Sequence, residues 1–111
     1  MNRRVLNKSP ALAALVLCAL LAPLAYAKEH KVTMKDVGYS PKELKIKKGD
    51  TVVWTNADER DHTVTADDGK SFKSGNIADG ETFTQKFDKP GKYKYHCEYH
   101  PRMKGTIIVE E

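Results

Sequence analysis

Residues 28–111 predict a single all-β domain, a small sandwich, on three observations. Apolar and polar residues alternate along short runs, turn-forming residues separate those runs at close intervals, and no stretch repeats with a helical period. The first run is Lys31 to Asp36, with Val32 and Met34 on one face and Thr33 and Lys35 on the other. Tyr39-Ser40-Pro41 is expected to break the chain, because a proline cannot donate to a strand ladder. Leu44 and Ile46 then alternate with Lys45 and Lys47, which reads as a core face backed by a solvated lysine row of the kind that protects a sheet edge. After Gly49-Asp50, the β-branched and aromatic run Thr51-Val52-Val53-Trp54-Thr55 predicts a well-packed strand. Asn56 to Asp61 reads as a polar loop, and His62 to Thr65 as the opening of the next strand. Asp67-Asp68-Gly69 and Ser74-Gly75-Asn76 mark an irregular middle section. Glu81 to Phe87 returns to strand, with Phe83, Gln85 and Phe87 on one side. Asp88-Lys89-Pro90-Gly91 turns the chain into Lys92 to Cys97, where Tyr93, Tyr95 and Cys97 share a face, and Thr106 to Val109 is the final strand. Six or seven strands are expected.

The first 27 residues read as a cleavable signal peptide rather than as part of the domain. Arg3, Arg4 and Lys8 supply a positive start, Ala11 to Ala22 an apolar run, and Ala25-Tyr26-Ala27 a small-x-small cleavage pattern. A membrane anchor needs about 20 consecutive apolar residues, and Pro23 interrupts this run too early. No anchor is therefore expected after processing. Cys18 lies inside the apolar run behind Leu17, which argues against lipidation, while Asn2-Arg3-Arg4-Val5-Leu6 leaves a twin-arginine route open. The expected destination is the periplasm or, failing that, the extracellular space.

Removing this leader changes the meaning of the charge. The whole chain of 111 residues has a formal net charge of +4, but residues 1–27 carry three of its 19 Lys and Arg and none of its 15 acidic groups. The remaining 16 basic and 15 acidic side chains nearly cancel. Nothing in that balance supports nucleic-acid binding. An 84-residue domain must also build its core without a disulfide, because Cys97 is its sole cysteine. In an exported protein a single thiol is an accident, half of an intermolecular disulfide, a nucleophile or a metal ligand.

Its neighbours favour the last. Tyr95-His96-Cys97-Glu98-Tyr99-His100-Pro101-Arg102-Met103 places a thiol, an imidazole and a thioether at Cys-x-x-His-x-x-Met spacing. Each residue alone has an ordinary reading, a surface histidine or a core methionine, but together, between two alternating strands, they form a soft donor set. His62, far upstream, begins a strand after a loop and can project to the same end of a sandwich. Two imidazoles, a thiolate and a weak axial thioether select copper and match an electron-transfer site. His96 points to the face opposite Cys97 and is not expected to be a ligand. Lys28-Glu29-His30, if exposed by cleavage after Ala27, could wrap a second divalent cation in a square of nitrogens; a frayed terminus is the simpler reading.

These motifs resemble those of the cupredoxins. Tyr95-His96-Cys97-x-x-His100-Pro101-x-Met103-x-Gly105 is most similar to the amicyanin type, whose ligand loop is short. Upstream, Tyr39-Ser40-Pro41, Lys48-Gly49-Asp50-Thr51-Val52-x-Trp54-x-Asn56 and Asp61-His62-Thr63-Val64 also fit the family, so the resemblance spans essentially residues 30–110. It implies a Greek-key β-sandwich holding one type 1 (blue) copper ion at one end, with His62, Cys97, His100 and Met103 as ligands. It further implies a monomeric, non-enzymatic carrier of single electrons between redox proteins such as c-type cytochromes or a periplasmic dehydrogenase. A copper chaperone or store on the same fold is the alternative. In the family the second ligand histidine presents its outer edge to solvent, which makes His100 the expected electron exit, with Pro101 and Met103 in an apolar patch around it.

The chain departs from the family pattern at several points. Asp61 and Thr63 flank His62 where proline and asparagine are common. The family asparagine ties the two ligand loops together, a task the Thr63 hydroxyl can take over. Glu98, Tyr99 and Arg102 alter the rim, Arg102 standing where an aromatic is usual, so methylamine dehydrogenase, the usual amicyanin partner, is not carried over as the particular dehydrogenase expected here. Asp58, Glu59 and Asp61 before His62, with Arg102 and Lys104 around Met103, form a mixed charge pattern suited either to steering a partner or simply to solvation.

Overall fold

The computed structural model describes residues 26–111. The expected leader, including Arg3, Arg4, Lys8 and Cys18, lies outside the described residues except for Tyr26 and Ala27. Eight strands follow: β1 (Glu29–Met34), β2 (Tyr39–Ser40), β3 (Glu43–Lys47), β4 (Thr51–Asn56), β5 (Thr65–Ala66), β6 (Thr82–Lys86), β7 (Gly91–His96) and β8 (Lys104–Glu110). They form two four-stranded sheets, ordered β2-β1-β4-β6 and β3-β8-β7-β5. The chain crosses between sheets repeatedly, so β1 pairs in parallel with β4 and β3 with β8, while the remaining neighbours are antiparallel. This is the all-β Greek-key sandwich that the sequence predicts.

Alternation does the packing. Val32 and Met34 of β1, Val52 and Trp54 of β4, Tyr95 of β7, and Ile107 and Val109 of β8 all turn inward. Trp54 is the hub: its ring lies within 6.5 Å, centroid to centroid, of Phe72, Phe83, Phe87 and Tyr95. Such tilted and edge-on pairs add to the area that aromatic rings bury. The indole N–H donates to the Tyr95 hydroxyl at 3.1 Å, so the core's polar atoms are paired rather than stranded. Burial holds the Tyr95 phenol neutral, its pKa pushed up to about 12. Lys45 and Lys47 stand exposed on β3, an outer strand of its sheet, as expected of edge protection.

The sequence-based expectation differs from the fold in three places. Tyr39-Ser40 is a short strand, because Lys35 and Gly38 exchange backbone hydrogen bonds of 3.0 and 3.1 Å and close a tight hairpin. Asp36 and Val37 at its tip both take φ near 54°, the left-handed pair that such turns require. His62 to Thr65 does not run as a continuous strand. His62 makes only an isolated bridge to Ile77, and β5 is confined to Thr65–Ala66. The irregular middle section also contributes to the core, through Phe72 and Ile77. Periodicity could not identify those two, since neither lies in a regular element.

At one end of the sandwich, Asp50 caps the start of β4. Its carboxylate accepts from the backbone N–H groups of Lys28 and Lys47 and pairs with His30 Nε2 at 2.9 Å. These hydrogen bonds, led by that from Lys28, hold its carboxyl at about 2.

Candidate metal centre

Three of the four sequence-derived candidates meet at the other end. The donor atoms of His62, Cys97 and His100 lie within 4.8 Å of one another. Cys97 Sγ is 3.8 Å from His62 Nδ1 and 3.6 Å from His100 Nδ1. Cys97 and His62 are buried, and His100 is half-buried.

Local geometry explains the spacing of the downstream group. Cys97 immediately follows β7. His100 N–H donates to the Cys97 carbonyl at 3.3 Å, and Met103 N–H donates to the His100 carbonyl at 2.8 Å. Cys97 N–H in turn donates to the Met103 carbonyl at 3.1 Å. Two consecutive i-to-i+3 turns therefore place Cys97, His100 and Met103 at successive corners, and a third bond closes the ring between β7 and β8. The backbone thus explains the period of three in Cys-x-x-His-x-x-Met. Met103 is only 2 % exposed, so it does not contribute to the expected surface patch with Pro101. The exposed apolar rim comprises Pro101 and Tyr99, the latter 51 % exposed and bonded through its hydroxyl to Asn76 at 2.8 Å.

His62 is held by tertiary contacts. Its backbone N–H and C=O both bond to Ile77, at 3.0 and 2.8 Å. Buried Asn56 shapes the preceding loop, with its side-chain amide donating to the carbonyls of Arg60 and Ile77 and its oxygen accepting from Asp58 N–H. Asp58 then turns inward, and its Oδ2 lies 3.0 Å from His62 Nε2. The hydrogen bond from His62, together with those from the Val37 and Arg60 backbone N–H groups, holds the Asp58 carboxyl well below the usual carboxylate range. An ionised carboxylate can only accept, so Nε2 carries the proton and Nδ1 offers its lone pair toward Cys97. Asp58 does not belong to a surface charge cluster as the sequence suggested. It is 8 % exposed, whereas Glu59 and Asp61 remain on the surface.

Thr63 joins the two loops. Its N–H points at Cys97 Sγ from 3.4 Å, and its hydroxyl oxygen accepts from Glu98 N–H at 2.8 Å. The role anticipated for this hydroxyl is thus matched by its contacts. Tyr39 adds a further tie, its hydroxyl donating to the Thr63 carbonyl at 2.6 Å. His96 turns away from the site to Asp67, 2.6 Å from Nδ1. His30 is occupied by Asp50, and Glu29 and His30 already lie in β1 opposite Thr51 and Val52. A chelate through their amides would have to dissolve the start of that strand. Asn56 and Asp58 are the functional neighbours that sequence reasoning missed. The available signal was the i, i+4 spacing of Asp58 and His62, which has no meaning until the loop is known to be folded inward.

The donor set fits copper. With metal–sulfur and metal–nitrogen bonds of about 2.3 and about 2.0 Å, tetrahedral to trigonal angles separate the donors by about 3.5 to 3.7 Å. The observed 3.6 and 3.8 Å separations agree with that spacing. A buried thiol with an N–H aimed at its sulfur, flanked by two imidazole nitrogens, is the soft environment that copper favours.

Comparison with known proteins bears this out. The Cupredoxin-like domain family matches residues 9–109. Amicyanin-alpha of Methylorubrum extorquens is 33 % identical over 118 aligned residues, covering 96 % of this chain and 99 % of that protein. The solved structure of an oxidised amicyanin variant superposes with a TM-score of 0.69 at 30 % identity, covering 73 % of this chain and 81 % of the other. A copper-containing nitrite reductase from Thermus scotoductus superposes with a TM-score of 0.71 at 32 % identity, covering 84 % of this chain but only 26 % of the enzyme. The fold therefore also occurs as part of a larger copper enzyme. On these matches this chain belongs to the cupredoxin-like family.

Proposed function

We propose that this protein is a blue copper electron carrier, in which His62 and His100 would hold the copper through imidazole nitrogens, Cys97 through its thiolate and Met103 through a weaker thioether. One observation carries the reading: a buried cysteine sulfur has two histidine Nδ1 atoms at 3.6 and 3.8 Å and a backbone N–H at 3.4 Å. Met103, buried at the last corner of the same pair of turns, would add a thioether to that set. Copper supplies a single-electron couple between Cu(I) and Cu(II) when bound. The chain's own contribution is rigidity. The Ile77 bridge and Asp58 hold His62, Thr63 holds the sulfur and the downstream loop, and the paired turns hold His100 and Met103. Donors that cannot relax keep reorganisation small as charge changes, which is what rapid electron transfer requires.

His100 is the exit. Among the three clustered donors it alone is half-exposed, and with Nδ1 turned to the sulfur its Nε2 edge is the outward side. Pro101 and Tyr99 provide a small apolar rim suited to brief encounters. The redox partners proposed are c-type cytochromes or a periplasmic dehydrogenase, met by the protein as a monomer. Burial of His62 and Cys97 argues against the alternative of a chaperone, which hands over metal through accessible ligands. A donor set closed by four side chains leaves no position for a substrate, which argues against an enzyme.

The same reading assigns residues 1–27 to a signal peptide and residues 28–111 to the exported domain. Strand β1 begins at Glu29, so cleavage after Ala27 leaves the sheet whole. N-terminal sequencing of protein from the periplasmic fraction tests this; a sequence beginning before Lys28 overturns the assigned site. For the metal, adding Cu(II) to the processed protein is expected to give an intense visible thiolate-to-copper band, bleached reversibly by a mild reductant. A colourless product, or a band that persists in Cys97→Ser, rejects the electron-carrier reading.

A further inference from the structure

A blue copper centre needs His62 to be oriented, but it does not need the group that orients it to be charged. A carbonyl or amide oxygen would accept the Nε2 proton and fix the ring equally well. Here the acceptor is the carboxylate of Asp58, buried, in contact with a fully buried imidazole. Its other partners do not neutralise it from within. Oδ2 also accepts from the Val37 N–H at 3.2 Å, and Oδ1 accepts from the Arg60 N–H at 3.4 Å and from Arg60 Nη1 at 3.3 Å. The cation among these, Arg60, is 61 % exposed and so is largely answered by solvent. The Val37 contact adds a structural cost to the arrangement, since Val37 is a β-branched residue held at φ 54°, where such side chains are rare. The fold thus keeps a strained turn in place with its N–H pointed at this carboxylate.

We infer that Asp58 is a positioning residue that biases the centre toward its oxidised state, acting through His62. This rests on His62 being a copper ligand. An imidazole that donates to an anion at Nε2 is a stronger base at Nδ1. The two oxidation states differ by one positive charge, so a fixed negative charge one ring away favours the more positive of them, and low local dielectric enlarges the effect. The electron itself comes from and returns to a protein redox partner, and no bond is made or broken. What Asp58 sets is the equilibrium position of that exchange.

The test is the midpoint potential of the copper-loaded protein and of Asp58→Asn, which keeps the size and an accepting oxygen but removes the charge. Loss of about tenfold in the preference for Cu(II) over Cu(I) is expected, which for one electron is a positive shift of about 59 mV, with the visible band retained. A retained band with an unmoved or lowered potential overturns the inference while leaving the copper site standing. Equal loss of Cu(I) and Cu(II) affinity also overturns it, because the residue would then be structural only. No band in the unsubstituted protein is the separate failure of the electron-carrier reading. Asp58→Ser, a second uncharged variant, covers the case in which the first does not fold. It removes the same negative charge, so the same upward shift is expected. An unmoved or lowered potential in a folded, coloured Asp58→Ser protein overturns the inference.

Discussion

The two loops that meet at the metal centre are built on opposite plans. The downstream loop, residues 97–103, delivers three candidate ligands through backbone turns between neighbours in sequence, and its side chains at Glu98, Tyr99, Pro101 and Arg102 are all exposed. The upstream loop, residues 56–63, delivers one candidate ligand and turns four of its polar side chains inward, leaving Glu59, Arg60 and Asp61 outside. Asn56, Asp58, His62 and Thr63 are all buried and joined to each other or to distant backbone. A surface for partners and a rigid mount for a metal are competing demands. This molecule separates them, so that the downstream rim is free to vary while the upstream loop holds the geometry.

The largest effect that can break this comparison lies under the downstream loop. A Cβ at Gly105 would stand 2.4 Å from the Tyr95 ring carbon Cζ and hydroxyl. Tyr95 is locked between Tyr39, Trp54 and Phe72 and cannot withdraw. Gly105→Ala is expected to destabilise by ~3 kcal/mol in denaturant unfolding, the upper end for overpacked cores. Asn56→Ala attacks the other loop. It leaves the Arg60 carbonyl and the Asp58 N–H without their partner and removes one of the two donors to the Ile77 carbonyl, at a cost of ~2 kcal/mol in stability. Its visible band should broaden as His62 loses its mount. If instead the band is unaltered, the upstream loop is not the rigid partner described.

Thr63→Val tests the joint between the loops. Loss of the hydroxyl that accepts from Glu98 N–H should cost ~1 kcal/mol, while the Thr63 N–H to sulfur contact is retained. Faster copper loss with little change in colour is the expected result. The smallest structural effect belongs to the exposed rim. Tyr99→Ala should leave stability within ~0.5 kcal/mol, as for most surface changes, and leave the absorption spectrum unmoved. It should slow bimolecular electron exchange with a redox partner, measured by stopped flow. An effect on the spectrum rather than on exchange would show that the rim and the mount are not separate.

Most of the sandwich was legible because period-two alternation is a direct consequence of one face being buried. Strands β1, β3, β4, β6, β7 and β8 all lie where the alternating runs lie. The parts that were not legible are those without a period. Phe72 and Ile77 enter the core from irregular backbone, β2 exists only because a left-handed turn folds it back on β1, and β5 is too short to leave a pattern. At the site the same division holds. Cys97, His100 and Met103 announce themselves because one hydrogen-bonded turn advances the chain by three residues, and sequence spacing records that advance. Met103 was nevertheless expected at the surface, and only its burial corrected this.

By itself, then, the sequence determined the fold class, the short ligand loop and the soft chemistry of its donors, because alternation, turn residues and ligand types are local properties. Only the tertiary structure decided that Asp58 is a buried partner of His62 rather than one of three surface acids, and that Asn56 is the brace of the loop between them. A charged residue looks the same in sequence whether water or protein solvates it. The difference is made by Asn56 and Arg60 of the same loop, which hold the Asp58 backbone and one carboxylate oxygen, and by Val37 of the β1–β2 turn, which reaches the other oxygen only once the sheet has formed.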